Sequence, residues 1–284
     1  MRAFVRRHPL PTFFVLTYTL SWAYWVPMAL GGRHVAPGSN VTHFPGLFGP
    51  AVAALIVLAL TEGGTGVAAL LKRMVCVSRP GVRFWLYSLS PLGFLLLALL
   101  IARIGGFARP PWSAFAVYSG LPALGVIPVF ALVLLGNGFG EEAGWRGFAL
   151  EPLQQRFGPL RGTLALGALW AGWHIPAFWI VETYRQMTPA MIAGGFVLGI
   201  ASGALVLARV SERTQGSVLA VALWHALYNM TSATAASRGI VAAVTTTCVI
   251  VWATALLLHE WRHRVGGSIL AVHAQPAAAG AHTR

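Results

Sequence analysis

Eight apolar stretches of about 17 to 21 residues constrain this chain more than any other feature. They lie at 11–30, 45–61, 84–104, 120–140, 162–181, 188–208, 216–234 and 239–259. A helix needs about 20 such residues to cross the hydrocarbon core of a bilayer. Backbone groups in lipid must be paired within their own segment, so a helical bundle follows. Composition closes the other routes. Only 10% of the 284 residues are charged and 57% are hydrophobic. A soluble domain carries about 25% charged residues, and disorder requires low hydrophobicity. The expected fold is all-α, a polytopic transmembrane bundle of about eight spans. It forms one domain over 1–265, followed by an Ala-, Gly- and His-rich tail over 266–284 expected to lack fixed structure. Residues 67–77, between the second and third spans, suit an amphipathic helix on the membrane surface, with Lys72 and Arg73 toward headgroups.

The charge is lopsided, with 20 Lys and Arg against 7 acids for a formal +13. All the acids are Glu, and Lys72 is the sole lysine. The cations are scattered between apolar spans and form no basic domain, so no nucleic-acid partner is expected. Their distribution suits the cytoplasmic loops of a membrane protein. With the N-terminus inside, inner segments hold Arg2, Arg6, Arg7, Lys72, Arg73, Arg79, Arg83, Arg146, Arg156, Arg161, Arg209, Arg213, Arg262, Arg264 and Arg284. Outer segments hold Arg33, Arg103, Arg109, Arg185 and Arg238. This predicts a multi-pass protein of the cell membrane with both termini cytoplasmic and residues 141–161 on the cytoplasmic side. The N-terminal apolar stretch is read as a first span and not a removable signal peptide. Cys76 and Cys248 lie far apart and make neither a disulfide framework nor a zinc knuckle.

Ionisable residues at membrane depth cost roughly 2.5–3.5 kcal/mol each on insertion scales, so they are functional candidates. Three segments carry them: GNGFGEEAGWRGFAL with Glu141, Glu142 and Arg146, LWAGWHIPAFW with His174, and LWHALYNM with His225 and Asn229. Residues four apart share a helix face. Glu142 and Arg146 therefore pair as structural support, and Glu141 points about 100° away, on a face with Asn137 and Trp145. Glu141 is then the candidate base. The plainer alternative is a cytoplasmic helix end with an ordinary ion pair. His225 and Asn229 share a face, and both can donate hydrogen bonds into one cavity. Pro176 is expected to kink the helix after His174, whose face carries Trp170 and Phe178. Trp145, Trp170 and Phe178 are the candidate pocket residues. One carboxylate, two imidazoles and an amide can activate water without metal, or two His and a Glu can hold zinc. The HExxH arrangement is absent, so no metal and no cofactor are expected, with zinc the alternative.

These segments resemble the three motifs of the CPBP family, formerly Abi, which includes CAAX prenyl endopeptidases of the Rce1 type. EExxxR reads as Glu141-Glu142-Ala-Gly-Trp-Arg146, FxxxH as Trp170-Ala-Gly-Trp-His174 with Trp in place of Phe, and HxxxN as His225-Ala-Leu-Tyr-Asn229. The motif core spans 137–233, and the first half of the chain matches only in having spans. The resemblance implies a glutamate-dependent intramembrane endopeptidase, eight helices around a chamber open to the cytosol, acting on a membrane-associated peptide or protein. By that similarity Glu141 and His174 activate water, and His225 and Asn229 stabilise the oxyanion. A non-enzymatic immunity or scaffold protein of the same fold, and a small transporter, are the competing readings. Neither explains the retained polar residues as well, since burying them is expensive.

Overall fold

The computed structural model describes residues 2–76, 81–262 and 268–271. Among these, secondary structure is helical apart from isolated β-bridges. After a short helix at Arg2–Arg7, the bundle comprises α1 (Pro9–Leu30), α2 (Phe44–Thr61), α3 (Gly64–Val75), α4 (Val82–Ser88), α5 (Ser90–Ile104), α6 (Val126–Phe157), α7 (Pro159–Trp173), α8 (Pro189–Arg213), α9 (Val218–Ser232) and α10 (Ile240–Arg262). Five of these helices are long and apolar enough to cross a membrane by themselves, and α4 with α5 form a sixth, bent by 54°. The bend falls at Leu89, just before Pro91, which has no backbone N–H to continue the ladder. Its inner side is tied to α9 by the Trp224 indole N–H, which donates to Ser90 Oγ at 2.9 Å.

The remaining two expected spans are α7 and α9, with 15 residues each. At 1.5 Å per residue they reach only about 22 Å, short of a hydrocarbon core of about 30 Å. They can be short because lipid does not surround them. Helix α9 packs against α4, α5, α6, α8 and α10, and most of its side chains are buried. The three motifs sit on α6, on the end of α7 and on α9.

One expectation is corrected. The fourth span does not stop at residue 140, for α6 runs unbroken through the glutamates to Phe157. A hydropathy window stops at charge, whereas the helix continues because Glu142 is neutralised inside the bundle. Two stretches of α6, Leu134–Glu141 and Trp145–Ala149, are wound as π-helix, a widening common where side chains must be re-aimed at a site. The amphipathic surface helix is present as α3. Arg73 pins it, donating from Nε to the Gly216 carbonyl and from Nη1 to the Gly147 carbonyl, each at 2.8 Å.

The bundle has two distinct ends. One collects the Arg2–Arg7 helix, α3, the α6–α7 turn and the α8–α9 turn. Residues 268–271 dock there: Leu270 is buried, its carbonyl accepts from Gln154 Nε2, and that of Ile269 accepts from Arg209. The rest of the tail, whose lack of structure was expected from composition, lies outside the described residues. At the opposite end four loops are stitched by single bridges, Val35 with Val181, Pro37 with Ser119, Gly38 with Pro122, and Tyr118 with Thr234.

Close helix contact at the motif depends on small residues. A Cβ on Gly144 would stand 2.5 Å from the Pro50 carbonyl oxygen, so α2 and α6 touch backbone to backbone there. Gly144→Ala is expected to lower stability by about 1–3 kcal/mol, the usual cost of overpacking. Gly93→Ala, where a Cβ meets nothing within 4 Å, should not. Unfolding in detergent, followed by circular dichroism, compares the two.

Candidate active site

The wound segment Gly136–Gly140 lets α9 approach α6 closely. A Cβ on Gly138 would lie 2.9 Å from the Ala222 carbonyl oxygen. One turn further along each helix, that approach brings His225 against Glu142. Glu142 Oε1 lies 3.0 Å from Arg146 Nη1 and 2.8 Å from His225 Nδ1. Glu142, Arg146 and His225 are all buried. The i,i+4 ion pair expected from spacing is present, but it is a deeply buried triad and not a solvated helix end.

Glu141 points elsewhere, as the helix geometry requires. Its Oε1 accepts from Asn137 Nδ2 at 3.1 Å and its Oε2 from the Trp170 indole N–H at 2.9 Å. Trp170 thus touches the chemistry directly. A phenylalanine there could not donate this bond, so the departure from the FxxxH pattern changes the carboxylate's surroundings more than the shape of a pocket. The same indole carries the Arg146 guanidinium 4.5 Å from its ring centroid and meets His225 edge-to-face at 5.5 Å. Such a cation–π contact gains value when desolvated. Trp170 therefore links the free carboxylate to the triad.

Helix α7 ends at Trp173, and Pro176 lies in the turn that follows. His174 occupies that turn. Its Nδ1 is 2.8 Å from the Trp170 carbonyl oxygen. A carbonyl only accepts, so Nδ1 carries the proton and Nε2 presents a lone pair. The ring is boxed by Trp170, Trp173, Tyr184 and Phe196. Phe178 reaches this box through Tyr184, at 5.3 Å, and Phe196, at 5.0 Å. Asn229 lies one turn beyond His225 on α9, with its amide near the hydroxyl of Tyr118. That hydroxyl donates in turn to Asn137 Oδ1 at 3.3 Å. A chain of contacts, Asn229–Tyr118–Asn137–Glu141, therefore closes the cluster.

The structure brings together Glu141, His174, His225 and Asn229 from three helices, with Glu142 and Arg146 behind them. Trp145 takes a different place from the pocket wall expected of it. It has no exposed surface and packs among Phe13, Phe14 and Trp173, the position of a core residue. Tyr118, Tyr184 and Phe196 join the site without any signal in the sequence, since they lie in loops and at a helix start far from the motifs. Asn137 was legible as one turn before Glu141. Among the described residues, no three His, Cys, Asp or Glu side chains converge to hold a metal ion. Glu141 accepts from Asn137 and Trp170, and both imidazole Nδ1 atoms are engaged, which leaves the Nε2 atoms of His174 and His225 as the available ring nitrogens.

Fold and site together define an integral-membrane helical protein with an acid–base centre buried in its bundle. Comparison with known proteins names the class further. Residues 123–231 match the family model described as Type II CAAX prenyl endopeptidase Rce1-like. Over 260 residues the chain is 23% identical to CAAX prenyl protease 2 of Methanococcus maripaludis, covering 87% of this chain and 93% of that relative. The chain is thus similar to Rce1-like CAAX prenyl endopeptidases, and the matched segment is the one that carries all three motifs.

Removing one partner of a buried charge pair costs about 3–5 kcal/mol because the other is left uncompensated. Glu142→Gln is therefore expected to destabilise the protein by that order, read as a drop in thermal midpoint in detergent. Glu141→Gln keeps an acceptor for the Trp170 N–H and should leave the midpoint close to wild type.

Proposed function

We propose that the chain hydrolyses a peptide bond of a membrane-associated substrate with water activated by Glu141. The carrying observation is that Glu141 and Glu142, adjacent in sequence, have separate partners: Glu142 is neutralised by Arg146 and His225, and Glu141 has only neutral donors among its hydrogen bonds. The charge count then limits the protonation states. Glu142 and Arg146 cancel, so the cluster is neutral overall in two ways. Either Glu141 holds a proton and His225 is neutral, or Glu141 is ionised and His225 is an imidazolium. One proton is shared between two groups.

The second state is the productive one. A carboxylate can only accept, so His225 Nδ1–H donates to Glu142 and the proton is on Nδ1 in both states. His225 Nε2 is a donor only when the ring is charged. With His225 charged, Glu141 is free to take a proton from water, and the His174 Nε2 lone pair accepts the water's other hydrogen and orients it. The hydroxide so generated adds to the carbonyl carbon. The developing oxyanion receives Nε2–H from His225 and one N–H from Asn229. Glu141 then passes its proton to the departing amine, the C–N bond breaks, and acid and amine products leave. Glu142 and Arg146 hold the imidazolium in place, and Trp170 and Asn137 fix the carboxylate. No step passes through a metal.

Five outcomes are expected with a fluorogenic membrane-tethered peptide and purified enzyme. Glu141→Gln loses about 10²–10⁴-fold in kcat, the range for a general base. Asn229→Ala loses about 10²–10³-fold, the cost of one oxyanion donor. Rigorous chelation leaves activity unchanged, and stoichiometric zinc whose return restores lost activity would replace this mechanism with a metallopeptidase one. Trp170→Phe removes one donor from Glu141 and should lower kcat more than it raises KM. Because both Glu141 protonation and His225 deprotonation disable the productive state, kcat should follow a bell-shaped pH profile.

A further inference from the structure

Tyr118 reaches the polar cluster from outside the three motif helices. It lies between α5 and α6, in a connection whose backbone is tied to two others. The Tyr118 carbonyl accepts from the Gly38 N–H at 2.9 Å, the Val117 carbonyl from the Ala235 N–H at 2.9 Å, and the Ala36 carbonyl from the Gly120 N–H at 3.1 Å. The connections before α2 and after α9 therefore hold Tyr118 between them. Gly120 makes the fit possible. Its φ is +75°, and a Cβ there would stand 2.8 Å from His43 Nδ1 and 2.9 Å from Val35 Cγ1. Val35, Tyr118, Leu121, Val181 and Thr234 are all buried, so these loops form a packed layer against the site. The Tyr118 ring meets Phe44 edge-on at 6.1 Å.

A phenolic hydroxyl has one proton to give and lone pairs with which to accept. Tyr118 gives that proton to Asn137 Oδ1 at 3.3 Å, and Asn137 Nδ2 donates to Glu141 Oε1 at 3.1 Å. Together the two bonds fix the Asn137 amide. Turned over, it would set its carbonyl against the carboxylate, acceptor against acceptor, and the Glu141 bond would be lost. The amide of Asn229 lies near the same hydroxyl. With its proton spent on Asn137, the hydroxyl can meet Asn229 only as an acceptor, which favours an N–H on that side. Asn137 stands on α6 and Asn229 on α9, and Tyr118 lies beside both. Tyr118 and Asn137 are buried, so little water competes for these bonds.

We infer that Tyr118 is a positioning residue for the reaction: its hydroxyl sets the way the Asn137 and Asn229 amides face, and so keeps the base Glu141 in register with the oxyanion donor across two helices. The inference rests on the hydrolase reading above for the reaction, and on geometry alone for the Tyr118–Asn137 bond. Tyr118 touches no reacting atom. It acts on Glu141 through Asn137, and the connections around Ala36 and Ala235 that hold it become part of the scaffold of the site.

A double-mutant cycle on the purified full chain tests this, because a merely structural residue would not couple to the amides. Tyr118→Phe keeps the ring and its contact with Phe44 and removes only the hydroxyl. With a fluorogenic membrane-tethered peptide, kcat should fall about tenfold, the effect of one ordinary hydrogen bond, and KM should change by less than about twofold. The same substitution should cost no more than about threefold in kcat when Asn137→Ala or Asn229→Ala is already present, since one of its two arms is then gone. An unchanged kcat in Tyr118→Phe overturns the inference, as does a rise in KM alone, which would mark a substrate contact. A full tenfold loss in both amide backgrounds overturns it too. Asn137→Ala breaks the bond from its other end and serves if Tyr118→Phe does not fold; an unchanged kcat there is equally fatal. The cycle is also read without activity, as thermal midpoints in detergent for Tyr118→Phe, Asn137→Ala and the pair. Less-than-additive losses in an enzyme that cleaves no peptide keep the Tyr118–Asn137 coupling and count against the hydrolase reading. Additive losses overturn the coupling itself.

Discussion

The buried triad of Glu142, Arg146 and His225 is the interaction on which the rest of the structure turns. A lone carboxylate or guanidinium in the middle of a bundle is prohibitively expensive, and the pair becomes tolerable only when geometry is good and further bonds satisfy it. Here the pair lies on one helix, an i,i+4 arrangement that any α-helix supplies. The third partner comes from α9, which can reach it only because glycines in α6 remove the side chains that would hold the two backbones apart. Close packing and charge burial are thus one requirement. Each fails without the other.

The same contact sets up the chemistry. By holding His225 Nδ1, the triad fixes the ring and leaves its other nitrogen uncommitted. By occupying Glu142, it leaves one of two adjacent carboxylates available. The widened turns in α6 matter here, because they re-aim Glu141 toward Trp170 and Asn137 while Glu142 keeps its helical partner. Trp170 then couples the two groups, bonding to the carboxylate through its N–H and receiving the guanidinium on its ring. A membrane interior makes these bonds strong because little water competes with them, and it makes any unsatisfied member costly for the same reason.

Helices α7 and α9 show how the bundle protects this arrangement. Both are too short to span lipid alone, and both are sheltered by longer helices that do the spanning. The polar residues they carry face other protein, not hydrocarbon. The surface helix α3 closes one side through Arg73 and Leu70, while irregular loops cover the other.

Much of this was legible in the residues. Apolar runs separated by charge located most of the helices, since the bilayer imposes a length and a composition on each, but missed the ends of α6 and α7. The spacing of Glu142 and Arg146, and the separate face of Glu141, follow from helical periodicity. The motif residues stood out because ionisable groups are rare among apolar ones. Other features had no local signature. That α6 continues past its glutamates depended on a histidine some eighty residues later. That His225 bonds Glu142, that Trp170 bonds Glu141, and that Trp145 belongs to the core were decided by which helix faces meet. Tyr118 and Tyr184 entered the site from the connections between the long helices and Phe196 from the start of α8, placements that no periodicity describes. The sequence by itself determined a membrane bundle and the identity of its reactive groups, because solvation and helix geometry act residue by residue. Tertiary structure decided which of those groups touch, because that depends on how closely two backbones can approach.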